Sequence, residues 1–181
     1  RLFHEICGEG VGAETFGRIV NIELKENCPN ATFKAWGDPA GGFGSDHDET
    51  TWLQIMSHVT GINWRPAPLP SNALQPRLEA VKAPMNRLLD GRPGLIISPT
   101  CKKTRKGFNS GYHYKRVALA GGHARFGDIP VKNEFSQPHD ALQYAMVGGG
   151  ELAAVMGRKK LLTSTQGTHV AKTGFNVFKG R

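Results

Sequence analysis

The chain has 181 residues, 39% of them hydrophobic, and a formal net charge of +8. That length supports one domain with a real core, and no stretch approaches the roughly 18 consecutive apolar residues of a membrane span. Cys7, Cys28 and Cys101 are odd in number, widely separated and without a C-x-x-C or Cys/His ligand spacing, which argues against a disulfide framework and a structural zinc site and makes a reducing compartment the simplest setting. The N-terminus lacks the basic-then-apolar pattern of a signal peptide. Because the first residue is Arg1, the chain is expected to begin inside a longer polypeptide or after processing.

In chain order, "RLFHEIC" reads as a short strand. "GAETFGRIVNIELKENCP" then carries Phe16, Ile19, Val20 and Leu24 at helical spacing and stops at a proline. "ATFKAW" predicts a second strand, broken by the glycine-rich "GDPAGGFGS". Asp48 or Thr50 is the expected cap of a helix over "ETTWLQIMSHVTG", closed by Gly61, and "INWRPAP" returns as a strand. "LQPRLEAVKAPMNRLLDG" predicts a helix kinked or divided at Pro84, and "RPGLIISPTC" a buried strand. A basic, hairpin-like stretch follows, and then a helix with Ser136 as N-cap and Pro138 in its first turn. After Gly150 the periodicity fades, so residues 151–181 are expected to be a basic tail, a linker or flexible arm. Strands alternating with helices predict an α/β class, a mainly parallel or mixed sheet covered on both faces.

The charge is unevenly distributed. From Cys101 to Arg125 there are seven Lys/Arg and no acid, and from Leu152 to Arg181 six and no acid, leaving the remainder net acidic. "KKTRKGFNSGYHYKR" interleaves Lys102, Lys103, Arg105, Lys106, Lys115 and Arg116 with Phe108, Tyr112 and Tyr114. Point charges that displace counterions, on a ribbon held by aromatics, suit a phosphate backbone.

Two acids fall where α/β sheets collect chemistry. Asp38 lies where a strand meets the glycine-rich loop, and Asp140 in the first turn of the helix "SQPHDALQYAM". Converging carboxylates hold hard cations such as Mg²⁺ through oxygen, and a pair of ions about 3.5–4 Å apart clamps a phosphodiester during in-line displacement. Asp46, Asp48 and Glu49, or Glu5 on the first strand, are candidates for a further ligand.

The ordered segments "GDPAG", "DETT", "GRPGLIISPTCKKTRKGFNSGYHYKRV" and "KNEFSQPHDALQYAMVG" resemble the C-terminal nuclease domain of tailed-bacteriophage terminase large subunits, over about residues 1–150. The resemblance implies a ribonuclease H-like mixed central sheet flanked by helices, two Mg²⁺ or Mn²⁺ ions, and cleavage of concatemeric double-stranded viral DNA. It makes Asp38 and Asp140 catalytic metal ligands, and Lys132, Asn133 and His139 supporting residues. It also implies portal and small-subunit partners, no membrane, and action in the host cytoplasm at the procapsid. On this alignment "RLFHEI" matches the family's third strand, so the strand bearing the family's first catalytic Asp, and its ATPase domain, lie outside the chain. No Walker A run is present. The alternative is a catalytically incomplete DNA-binding or motor-assembly fragment.

Overall fold

The computed structural model describes residues 1–42, 50–118 and 124–164, apart from the side chains of Ala118, Ala124 and residues 158–164. Helix α1 (Ala13–Asn27) forms as the spacing predicts and packs Gly17 and Val20 against α2 (Trp52–Thr60). There is room for this because a Cβ on Gly17 would already lie 3.0 Å from Val59. The α2 cap is Thr51, one residue beyond the nearer candidate. Its hydroxyl accepts from Gln54 N–H (3.2 Å) while the Gln54 side chain accepts from Thr51 N–H (2.7 Å), satisfying two orphan donors at once. Gly61 closes the helix at φ 70°, as expected.

The class is mixed α/β, and its sheets are small. Strand β1 (Ala35–Gly37) pairs in parallel with β2 (Trp64–Pro66), matching two expected strands. Leu2 and Ile97 add an isolated parallel bridge. Among the described residues no sheet exceeds two strands. The expected first strand pairs only at Leu2; the next carbonyl, of Phe3, accepts from the Thr100 hydroxyl (3.1 Å), and the Glu5 carboxylate is turned to α4 (Lys102–Lys106). It accepts from the N–H groups of Lys103 (2.7 Å) and Thr104 (3.0 Å) and from the Thr104 hydroxyl (2.9 Å), at the start of that helix. That contact, 98 residues apart in sequence, also explains why the first half of the basic stretch is helical rather than hairpin. Its second half is a hairpin, β5 (Tyr114–Ala118) against β6 (Ala124–Pro130).

Helix α3 (Leu74–Met85) accommodates Pro84 in its last turn and stops there. "LLDGRP" is then not helix but a tight hairpin, β3 (Leu88–Leu89) with β4 (Arg92–Pro93), turned by Asp90 (φ 51°) and Gly91 (φ 74°). Two successive positive φ values are what Asp-Gly supplies to a two-residue loop. The expected buried strand is accordingly short, and Ile96 within it is exposed.

Helix α5 (Ser136–Gly148) begins at Ser136 rather than after it. The Ser136 hydroxyl accepts from Asn133 N–H and donates to Val131 C=O, so it ties the loop instead of capping the helix. Residues from 151 onward do not start as a tail. Helix α6 (Glu151–Ser164) packs on α3, Arg87 donates twice to the Glu151 carboxylate (3.2 and 2.8 Å), and Leu152 joins Ala67, Ala80, Tyr144 and Val147 in the core. The folded unit therefore extends past Gly150.

Burial opposes ionisation of Glu5, but the Thr104 and Lys103 donors outweigh it and hold the carboxyl below its ordinary range. A depressed carboxyl contributes stability above its unfolded value and loses it as pH falls through the folded one. The stability gap between wild type and Glu5→Gln is therefore expected to be widest at neutral pH and to close on acidification below the ordinary glutamate range. Urea unfolding of both across that range measures it, and a gap independent of pH contradicts the assignment.

Candidate functional site

Asp38 follows β1 directly and Asp140 lies in the second turn of α5. The fold joins them through three side chains. Asp38 Oδ1 accepts from Ala40 N–H (2.9 Å), which shapes the short 3₁₀ turn at Pro39–Gly42, and from Asn72 Nδ2 (2.9 Å). Asn72 Oδ1 accepts from the Tyr144 hydroxyl (3.1 Å), which accepts from Arg77 Nη1 (2.8 Å). The same Arg77 nitrogen lies 3.4 Å from Asp140 Oδ1, and Lys132 Nζ sits 3.0 Å from Asp140 Oδ2.

The Arg77–Tyr144 part of this chain is dry, whereas Asn72 is exposed. Arg77 is 8% exposed and Tyr144 4%. The Arg77 guanidinium carbon lies 4.9 Å from the Tyr144 ring centroid, a cation–π contact that fixes the side chain in a second way. Burial pushes the Tyr144 phenol up to about 12; its hydrogen bond to Asn72 and the Arg77 charge oppose the rise, and Asp38 adds to it. The hydroxyl thus stays protonated and can bridge. The ends are open: Asp38 is exposed, and the Lys132 side chain is 77% exposed against 20% for Asp140.

The supporting residues are placed differently from one another. Lys132 touches Asp140 directly. His139 is buried beside it, stacked on Tyr112 (centroids 4.7 Å, 5°) and met edge-on by Phe108 (4.7 Å, 62°), with Nε2 3.1 Å from Thr104 C=O. A Cβ on Gly107 would fall 2.0 Å from that nitrogen, so glycine is required there. Burial lowers the His139 pKa, leaving a neutral ring whose Nε2–H donates to the carbonyl. Asn133 builds the loop before α5: its amide donates to Gly111 C=O and its Oδ1 accepts from Phe135 N–H.

The basic segment divides in two. Lys102, Lys103, Arg105 and Lys106 belong to α4 and Lys115 and Arg116 to β5. All but Lys103 are exposed, and none of the six forms an ion pair with an acid among the described residues. Phe108 and Tyr112 hold His139, so these aromatics anchor the basic segment beside Asp140, and Phe108 also keeps 36% of its surface exposed.

Oxygen donors for a hard cation are present in Asp38 and Asp140, and the only cation on Asp140 Oδ2 among the described residues is a long exposed lysine that can move away. No group of three or more His, Cys, Asp or Glu is placed to hold a metal among the described residues. Glu5 is committed to α4, and Asp46, Asp48 and Glu49 lie outside the described residues. A separate cleft of about 740 Å³ opens between residues 2–11 and the Pro138, Ala141 and Ala145 side of α5. Neither Asp38 nor Asp140 lines it, and its volume alone carries no chemistry comparable to the carboxylate network.

Arg77, Asn72 and Tyr144 were not anticipated from the sequence. A signal existed: Arg77, Ala80, Val81 and Pro84, spaced i, i+3, i+4, i+7, form the buried stripe of α3, so a cation stands at a core position. Among the described residues no helix is long and apolar enough to cross a membrane. Comparison with protein-family models, curated proteins and solved structures finds no match.

If the exposed cations meet a phosphate backbone, Lys115→Ala and Arg116→Ala will each lower DNA affinity irrespective of sequence and reduce the slope of log K against log salt by about one. Fluorescence anisotropy across a salt series measures the slope. An unchanged slope in both variants contradicts the assignment.

Proposed function

We propose that this chain is a metal-dependent DNA endonuclease domain of the terminase large-subunit type, built on a ribonuclease H-like plan and cutting concatemeric double-stranded DNA during viral packaging. The observation that carries the reading is the linkage of Asp38, just after β1, to Asp140, in the second turn of α5, through a hydrogen-bonded network of Asn72, Tyr144 and Arg77 that ends on Lys132. The resemblance names Asp38, Asp140 and Lys132, and Asp38 is far in sequence from Lys132 and Asp140, which stand 8 residues apart.

In this reading Asp38 and Asp140 would hold Mg²⁺ or Mn²⁺. The bound metal supplies Lewis-acid activation of water and of the scissile phosphate. Asp140 is available once Lys132 swings off Oδ2, and the freed ammonium can then meet a phosphate oxygen. Lys102, Arg105, Lys106, Lys115 and Arg116 supply backbone contacts that position DNA without reading its sequence. Neutral His139, locked between two aromatic rings, keeps the basic segment against the helix that carries Asp140. Portal and small terminase subunit as partners, and the host cytoplasm at the procapsid as the place of action, follow from the same reading.

A second reading is a DNA-binding or motor-assembly module without a complete site. It is favoured by the commitment of Glu5 to capping α4, which leaves two carboxylates at the site among the described residues. Nicking of supercoiled plasmid in Mn²⁺ and in Mg²⁺ separates the two. The nuclease reading expects cleavage that EDTA abolishes and that Asp38→Asn and Asp140→Asn each reduce at least about a hundredfold, roughly 2.7 kcal/mol of barrier. Salt-sensitive DNA binding with no cleavage by wild type, and affinity retained in both variants, supports the second reading instead.

A further inference from the structure

We infer that Arg77 is the positioning residue of this site: through a one-directional hydrogen-bond relay it sets Asp38 and Asp140 relative to each other, so that the two carboxylates respond as one unit. The relay's chemistry rests on the metal-site reading, whereas its geometry does not.

The direction follows from the groups themselves. A guanidinium can only donate and a carboxylate only accept. Between them, the Tyr144 hydroxyl accepts from Arg77 and must donate to Asn72 Oδ1, which turns the Asn72 amide so that Nδ2 faces Asp38. Each bond fixes the sense of the next, and Arg77 also reaches Asp140. One buried cation therefore reaches both acids, one directly and the other through buried Tyr144 and solvent-exposed Asn72.

Simple charge balance does not account for Arg77. Lys132 already neutralises Asp140 from solvent, where a cation costs little. Arg77 instead occupies the buried stripe of α3, and its Nε has no hydrogen-bond partner among the described residues. An apolar side chain of similar length would pack there without that unpaired N–H. What a guanidinium adds is a planar donor held over the Tyr144 ring and aimed along two paths.

The test uses the full chain and two readouts, one independent of metal. ¹⁵N-detected NMR of the Arg77 guanidinium is recorded with and without Asp38→Asn, in wild type and in Tyr144→Phe, which keeps the ring and removes the bridging hydroxyl. The expected result is that Asp38→Asn shifts the Arg77 resonances in wild type and leaves them unmoved in Tyr144→Phe. No shift in wild type, or an equal shift in both backgrounds, overturns the relay. Mn²⁺ binding is followed by electron paramagnetic resonance in wild type, Tyr144→Phe, Arg77→Lys and the double variant. Each single change is expected to weaken binding about tenfold, with no further loss in the double variant, and lysine should not rescue arginine. Mn²⁺ affinity untouched by Tyr144→Phe overturns the positioning role, and that arm stands even if Arg77→Lys does not fold. A wild type that shows the NMR coupling and binds no Mn²⁺ sustains the relay and sinks the metal-site reading.

Discussion

The guanidinium of Arg77 is the constraint on which the site depends. It is a charge placed in a core stripe, and a buried cation is tolerated only where its hydrogens meet acceptors. Those acceptors are Tyr144 and Asp140 on α5, so the face of α5 turned toward α3 is determined by more than apolar contact. The same face carries Val147, which joins Leu152 of α6 and Ala80 of α3 in the core. Packing and chemistry thus share one helix: residues that bury α5 and residues that present Asp140 alternate along it.

Much of this was readable in the residues, and the failures have physical causes. Helices α1, α2 and α5 and strands β1 and β2 declare themselves through local period and turn chemistry; Asp38 follows β1 as read, whereas Asp140 lies one turn deeper in α5 than expected because the helix already starts at Ser136. Helix α4 does not, because its cap is supplied by Glu5 from the other end of the chain and no window around Lys102 contains it. The β3–β4 hairpin was legible in Asp90-Gly91 and was absorbed into the preceding helix by its apolar neighbours. Helix α6 has little amphipathic pattern, and its docking depends on Arg87 and the α3 surface, which sequence spacing cannot show. Arg77 reads as a surface residue when helical arginines are taken as solvated, although its place in the stripe argued otherwise.

On the proposed reading, the arrangement separates two electrostatic tasks. The cations expected to meet DNA stand on α4 and β5, unpaired with acids among the described residues and open to solvent. Those that manage the carboxylates stand on α3 and before α5, one buried and one exposed. A buried partner orients and an exposed partner exchanges, because a long solvated lysine is easily displaced by a small hard cation while a desolvated arginine is not. His139, clamped between Phe108 and Tyr112, links the two regions mechanically without adding charge.

The central claim is that Asp38 and Asp140 form a single cation site steadied from within by Arg77. The most direct measurement is anomalous diffraction from crystals of the protein soaked in Mn²⁺. The account predicts a Mn²⁺ peak ligated by both carboxylates, with Lys132 released from Asp140 and the Arg77–Tyr144–Asn72 chain intact. Saturating Mn²⁺ that leaves no peak at either carboxylate, with Lys132 still on Asp140, would contradict it.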